Sequence, residues 1–213
     1  MIPKIASILT SSLDHPSSLS LSIYLPYCNL NCIACHNREL VEGRFEEVPL
    51  EDLIWELENN LLVDLVVISG GEPTVHGRNL LDLVSLIRNI REDLPIRVDS
   101  NGFLPEVMNL LVDQIDGFAL DVKAPPMNRE KYEFTVRRRY DPEMLIRSVE
   151  IASDLPYTVF RTVRYPWLTD DDLEEIRKFL ATYGKERPHF INPYLEPMGT
   201  VPSTDLRKLL KEI

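Results

Sequence analysis

The chain has 213 residues, 44% hydrophobic and 27% charged, and carries a net charge of −11. That length favours one domain whose core needs no crosslinks, and the composition is that of an ordinary globular protein. The acidic balance argues against general affinity for nucleic acid, which needs Lys and Arg against phosphate, and no apolar run is long enough for a helical membrane span.

In chain order, the opening Met1-Ile2-Pro3-Lys4 leads into no apolar core with a small-residue cleavage site, so the sequence reads as cytoplasmic rather than exported. Strands are expected at residues 19–25, 64–68, 96–99, 117–122, 157–163 and 189–192. Val66-Val67-Ile68 is a continuous apolar run of the kind found in a strand covered on both faces. Between strands lie helical patterns. Residues 50–61 place Leu53, Ile54, Leu57 and Leu61 on one face, and residues 80–90 do the same with Leu80, Leu83, Val84 and Ile87. A third helix, 142–152, carries Met144, Leu145, Val149 and Ala152. A fourth opens at Thr169, a capping residue followed by Asp170-Asp171-Asp172 at the positive end of the helix dipole, and ends near Gly184. A short terminal helix is expected at 203–213.

Alternating strand and helix implies a parallel sheet with helical crossovers. Six strands are too few for a closed eight-stranded barrel and suit an α/β fold of the open, partial (β/α)6 barrel type. The chain is expected to be one domain, 1–213, with a core of about 19–195 and a tail of 196–213. The unusual residues follow the strands in turn: the cysteine loop, Gly70-Gly71-Glu72, Asp99-Ser100-Asn101-Gly102, Asp121-Val122-Lys123, Arg161 to Pro166 and Asn192-Pro193-Tyr194. All therefore fall at the carboxyl ends of strands, where parallel α/β sheets and barrels build their sites.

The three cysteines, Cys28, Cys32 and Cys35, lie within one loop. Their number is odd, so a disulfide scheme would leave one over. Three thiolates from one short loop can instead hold a soft metal centre. One reading is zinc held by the cysteines and His36, but structural zinc usually takes two separated ligand pairs, and Cys35 and His36 are awkward neighbours for joint chelation. The other is a four-iron cluster with one iron open to a ligand that is not protein.

Cys-x3-Cys-x2-Cys resembles the cluster loop of the radical S-adenosylmethionine superfamily, and Ser69-Gly70-Gly71-Glu72-Pro73 resembles its second hallmark. The resemblance implies a [4Fe–4S] cluster on Cys28, Cys32 and Cys35, with S-adenosylmethionine on the open iron. Reductive cleavage would then give a 5′-deoxyadenosyl radical that abstracts hydrogen. It also implies that Gly70, Gly71 and Glu72 bind the amino group of S-adenosylmethionine. Cys35-His36-Asn37 resembles the segment after the cluster loop in glycyl-radical-enzyme activases, which brings His36 into the cofactor site. Asp99-Ser100-Asn101-Gly102-Phe103 and Asp121-Val122-Lys123 resemble segments of the pyruvate formate-lyase activating enzyme that hold a monovalent cation. By that likeness Asp99, Ser100, the Ala119 carbonyl and Asp121 would be cation ligands, Lys123 would face the methionyl carboxylate, and Arg161 would be a further ligand contact. Departures are Ala34, where the superfamily usually has an aromatic residue (Tyr24, Tyr27 or Phe118 could stand in), and Leu195, where the activases have histidine. The short chain resembles the anaerobic ribonucleotide reductase activating protein more than the pyruvate formate-lyase type.

Three functions follow as expectations. The first is an activase that takes hydrogen from a glycine of a partner glycyl radical enzyme, anaerobic ribonucleotide reductase foremost, with flavodoxin or ferredoxin as electron donor. The second is a radical enzyme on a small molecule, similar to 7-carboxy-7-deazaguanine synthase, and the third is a non-enzymatic zinc-binding protein. Arg137-Arg138-Arg139 reads either as a solvated basic turn or as a docking patch for an acidic partner. Arg164 reads as a surface salt-bridge residue, and His15, His76 and His189 as structural or surface residues.

Overall fold

A computed structural model describes residues 1–14 and 18–196. Seven strands form one sheet in the order β1 to β7. They are β1 (Ser7–Ser11), β2 (Ser20–Leu25), β3 (Leu65–Gly70), β4 (Ile96–Ser100), β5 (Gly117–Asp121), β6 (Val159–Arg164) and β7 (His189–Pro193). From β2 onward each strand pairs parallel with the next, as the six-strand expectation requires. The sheet stays open, because β7 ends the strand order at one edge and β1 at the other.

The edge strand β1 was not expected. Its Ser-Ile-Leu-Thr-Ser sequence has no apolar alternation and its residues are half-buried or exposed. It exists because β2 offers a ladder, in antiparallel register from Ser7 opposite Tyr24 to Ser11 opposite Ser20. The expected terminal helix at 203–213 and His15 lie outside the described residues.

Period-two alternation sorts the strands into two faces. On β2, Leu21, Ile23 and Leu25 are fully buried against the helices, and Ser20, Ser22 and Tyr24 alternate with them. The helix-facing layer continues through Val66, Ile68, Val98, Phe118, Leu120 and Phe160, all members of the hydrophobic core. In register beside Ser22 on the opposite, lumenal face come Val67, Arg97 and Gly117. Asp99 lies beside Ala119, and Asp121 beside Arg161. The core therefore sits between sheet and helices, while the barrel lumen is lined by charge.

The expected helices appear as α2 (Leu50–Asn59), α3 (Arg78–Ile90), α6 (Pro142–Ser153) and α7 (Asp170–Tyr183). Thr169 caps α7 in a reciprocal box with Asp172. Three shorter helices were not anticipated: α1 (Arg38–Val41), α4 (Pro105–Leu111) and α5 (Arg129–Val136). Each is shorter than the window over which helical periodicity becomes readable.

Candidate active site

One cavity of about 350 Å³ opens at the carboxyl ends of β2 to β6. Cys28, Cys32, Cys35 and His36 line it from the loop after β2, and Gly70, Gly71 and Glu72 from the end of β3. Asp99 and Ser100 come from β4, Asp121 from β5 with Lys123 just after it, and Arg161 from β6 with Tyr165 just after it. The cysteines, His36, Gly70, Gly71, Glu72, Asp99, Ser100, Asp121, Lys123 and Arg161 are thus brought to one cavity, whereas Ala119, whose carbonyl was expected as a cation ligand, does not line it. The exception among the strand ends is Asn192-Pro193-Tyr194 of β7, which does not line it. Tyr194 instead packs edge-on against Tyr165 and Trp167, with ring centroids 6.0 and 6.4 Å away.

The glycine pair ties two loops together. Gly71 N–H donates to the Leu25 carbonyl at 2.9 Å and Glu72 N–H to the Tyr27 carbonyl at 2.8 Å. A Cβ on Gly70 would stand 2.2 Å from the Leu25 carbonyl oxygen, and one on Gly71 2.0 Å from that of Tyr27. Gly70 also has φ +120, where side chains are strained. The pair is therefore required by close approach to the backbone that leads into Cys28. Asn37 adds a hydrogen bond from its side-chain amide to the Gly70 carbonyl at 3.0 Å.

Glu72 is only 1% exposed, and both its oxygens are taken. Oε1 accepts from Thr74 N–H (3.2 Å), Thr74 Oγ1 (2.6 Å) and Ser100 Oγ (2.9 Å), and Oε2 accepts from Asn101 N–H at 2.6 Å. Burial pushes this carboxyl up and the donors pull against it, with the balance upward. Glu72 thus locks the β3 loop to the β4 loop through its side chain, and Ser100 spends its hydroxyl on the same lock.

The cysteine loop is fixed from outside. Asn31 and Ile33 donate their N–H groups to the carbonyls of Val136 and Thr135 at the end of α5, both at 3.1 Å. Arg38 Nη2 donates to the Cys32 carbonyl at 2.7 Å, and Arg138 Nε to the Asn29 carbonyl at 3.1 Å. All three cysteines are free and half-buried. Burial pushes the Cys28 thiol up to about 11 and raises Cys32 as well. Among the described residues no three His, Cys, Asp or Glu side chains converge on a point as ligands of one ion. As a donor set, three free thiols on one cavity wall fit the iron–sulfur cluster expected from the sequence, since each can take a separate iron.

Across the lumen runs a ladder of alternating charge. Arg97, fully buried, donates from Nε to Asp99 Oδ1 at 3.3 Å and from Nη1 to the Asp14 carbonyl at 2.9 Å. Arg161 bridges Asp99 Oδ2 (3.0 Å) and Asp121 Oδ1 (3.1 Å), and Lys123 pairs with Asp121 Oδ2 at 2.8 Å. Burial alone would lower Lys123, but Asp121, Tyr165 and Cys32 hold its ammonium well above the usual lysine range. Burial likewise opposes ionisation of Asp121, yet Lys123 and Arg161 bring it below 3.8. The two aspartates expected to coordinate a monovalent cation are therefore brought together with protein cations already on them.

Several site residues carried no role in the sequence reading. Asn101 donates from its side-chain amide to Asn29 Oδ1 at 2.7 Å and reaches Cys28 Sγ at 3.8 Å. Tyr165 is the aromatic side chain lining the cavity, stacked on Trp167 at 4.7 Å with 3° between planes. Tyr24, Tyr27 and Phe118, considered as replacements for the aromatic missing at Ala34, do not line it. Among the other expectations, Arg164 pairs with Asp170 at the surface, and His76 and His189 bond to the Pro26 carbonyl and Thr162 Oγ1. Among the described residues no helix is long and apolar enough to cross a membrane.

Residues 22–180 match the family described as Radical SAM superfamily. Over 176 residues the chain is 30% identical to a Methanocaldococcus jannaschii protein that bears the name "Putative glycyl-radical enzyme activating enzyme", covering 79% of this chain and 71% of that one. A Haemophilus influenzae protein with the same name is 35% identical over 107 residues, 48% of this chain and 40% of the relative. The chain thus spans less than two thirds of the second relative. A radical SAM methyltransferase from Sphaerobacter thermophilus shares the fold, with a TM-score of 0.64 at 15% identity, over 100% of this chain and 75% of that one.

Proposed function

The chain belongs to the Radical SAM superfamily, which implies a [4Fe–4S] cluster and S-adenosylmethionine, and we propose that within it this protein activates a glycyl radical enzyme. The observation that carries the reading is the shared cavity: three free thiols of one loop line it together with Gly70, Gly71, Lys123 and Arg161. Names borne by relatives, and the Cys35-His36-Asn37 segment, support the activase assignment over a small-molecule reaction.

In this reading Cys28, Cys32 and Cys35 hold three irons and the whole chain acts as one radical SAM domain. The backbone of Gly70, Gly71 and Glu72 binds the amino group of S-adenosylmethionine, while the Glu72 side chain keeps that backbone in place. Lys123 and Arg161 offer a paired positive charge to the carboxylate, where charge-assisted bonds are strong, and His36, an exposed residue of the cavity lining, is a further cofactor contact. Asp99 and Asp121 orient those cations and are also the carboxylates that would take part in holding a monovalent cation. Tyr165 supplies the apolar wall that Ala34 does not. When bound, the cluster and S-adenosylmethionine supply a 5′-deoxyadenosyl radical from one added electron, with methionine as the other product. That radical would take one hydrogen atom from a glycine Cα of the partner, which would give 5′-deoxyadenosine and leave the unpaired electron on the glycine. The partner is read as anaerobic ribonucleotide reductase and the electron donor as a flavodoxin or ferredoxin.

The test is electron paramagnetic resonance on the reduced, reconstituted protein mixed with candidate glycyl radical enzymes and S-adenosylmethionine. A persistent glycine-centred doublet is the expected result. Cleavage of S-adenosylmethionine without a doublet, together with conversion of a small molecule, would assign the second function instead.

A further inference from the structure

Among the described residues eight arginines hold a carboxylate in an ion pair. Seven described arginines lack such a partner; among them are Arg38 and Arg138, which touch the cysteine loop, and Arg137 and Arg139, which flank Arg138. Arg137 has φ +51, a left-handed cap that turns the chain off α5 and sets three exposed guanidinium groups in a row. Arg138 and Arg38 reach the loop itself through the Asn29 and Cys32 carbonyls. Two anions beside the row have partners of their own. Glu133 is paired with Arg129 and also feels the field of Arg139, and Asp141 caps α6. In a protein of net charge −11 this is a local reversal of sign. None of the four arginines lines the active-site cavity, whereas the loop they grip lines it with all its thiols.

We propose that this arginine face is the docking surface for an acidic one-electron carrier protein. The proposal rests on the cluster reading above. A glycine that must meet the radical has to enter the cavity, so a face outside it is of little use to the protein substrate. An electron needs only close approach to the cluster, and the loop that would hold the cluster is what Arg38 and Arg138 clamp. The carrier is oxidised by one electron and the cluster reduced by one. Complementary charge chiefly raises the association rate, and salt screens that gain.

Stopped-flow reduction of the reconstituted protein by a reduced flavodoxin, used as the acidic probe, tests this. Arg137→Glu/Arg139→Glu should slow the bimolecular phase about tenfold or more at low salt and flatten its dependence on ionic strength. Arg137→Gln/Arg139→Gln should give a smaller change of the same sign and guards against misfolding of the reversal. Reduction by dithionite should be unaffected. Equal flavodoxin rates and salt slopes in wild type and both variants overturn the proposal, as does loss of glycyl-enzyme activation with flavodoxin reduction unchanged. A wild type in which dithionite reduces nothing overturns the cluster reading beneath it.

Discussion

Replacing Gly71 by alanine puts the tie between the β3 loop and the cysteine loop to the test. The new Cβ would stand 2.0 Å from the Tyr27 carbonyl oxygen and 2.7 Å from its carbon. Both are main-chain atoms with no rotamer to change, and Tyr27 already sits at φ +68. The loops must part by about an ångström or more to reach normal contact. That separation breaks the Gly71–Leu25 and Glu72–Tyr27 hydrogen bonds, each worth about 0.5–1.5 kcal/mol net. Overpacking adds about 1–3 kcal/mol, for a total of about 2–6 kcal/mol. Gly77 is the control: it has φ +53 and ψ −123 but open space around its Cβ, so alanine there should cost only about 1–3 kcal/mol of backbone strain. Urea unfolding followed by circular dichroism reads both. Gly71→Ala should unfold at clearly lower urea than Gly77→Ala, and anaerobic reconstitution should load it with less iron. A Gly71→Ala protein as stable as Gly77→Ala would refute the backbone clash and the tie built on it.

Lys123→Ala should weaken S-adenosylmethionine binding by roughly ten- to a hundredfold, since it removes a buried charge-assisted contact; unchanged titration calorimetry removes Lys123 from the site. In metal-free protein the Cys28 thiol, pushed up to about 11, should alkylate about a hundredfold more slowly at pH 8 than an ordinary thiol, read by peptide mass spectrometry. Rapid labelling of Cys28 would show it exposed. Stability should also fall in acid. Asp14, Asp121 and Asp172 all lie below 3.8 when folded, so their contribution is complete above the unfolded value and is lost as pH falls through the lower folded values. For Asp172, burial opposes the shift and Lys131 with Thr169 outweighs it. Asp172→Asn should therefore lower the urea midpoint at pH 6 and narrow its gap to wild type below pH 3.8; a constant gap across that range would contradict the assignment.

The sheet and the long helices were legible because burial imposes a period. Leu53 and Leu57 are fully buried at the spacing that predicts one helical face, and Val66 to Ile68 are buried in a covered strand. The rim location of the site was equally legible, since topology alone carries strand ends to one side. Side-chain direction was not. Glu72 reads as a ligand group but is consumed by Thr74, Ser100 and Asn101, a lock whose parts are separated by up to 29 residues. Gly71 is singled out in the sequence by resemblance alone, and the packing reason for a glycine there, the Tyr27 backbone 2.0 Å from any Cβ, comes from a distant loop. Arg97 carries a local signal: a charge alternating with Ile96 and Val98 in a short strand marks a polar lumenal face. Nothing local distinguishes Tyr165 from any aromatic residue after a strand, so only the fold brings it to the cavity.

Metal and cleavage analysis of one sample tests the central claim most directly. Protein reconstituted without air should bind about four irons per chain and, with strong reductant, convert S-adenosylmethionine to 5′-deoxyadenosine, while Cys32→Ala does neither. Zinc in place of iron, or cleavage retained in Cys32→Ala, would contradict the account.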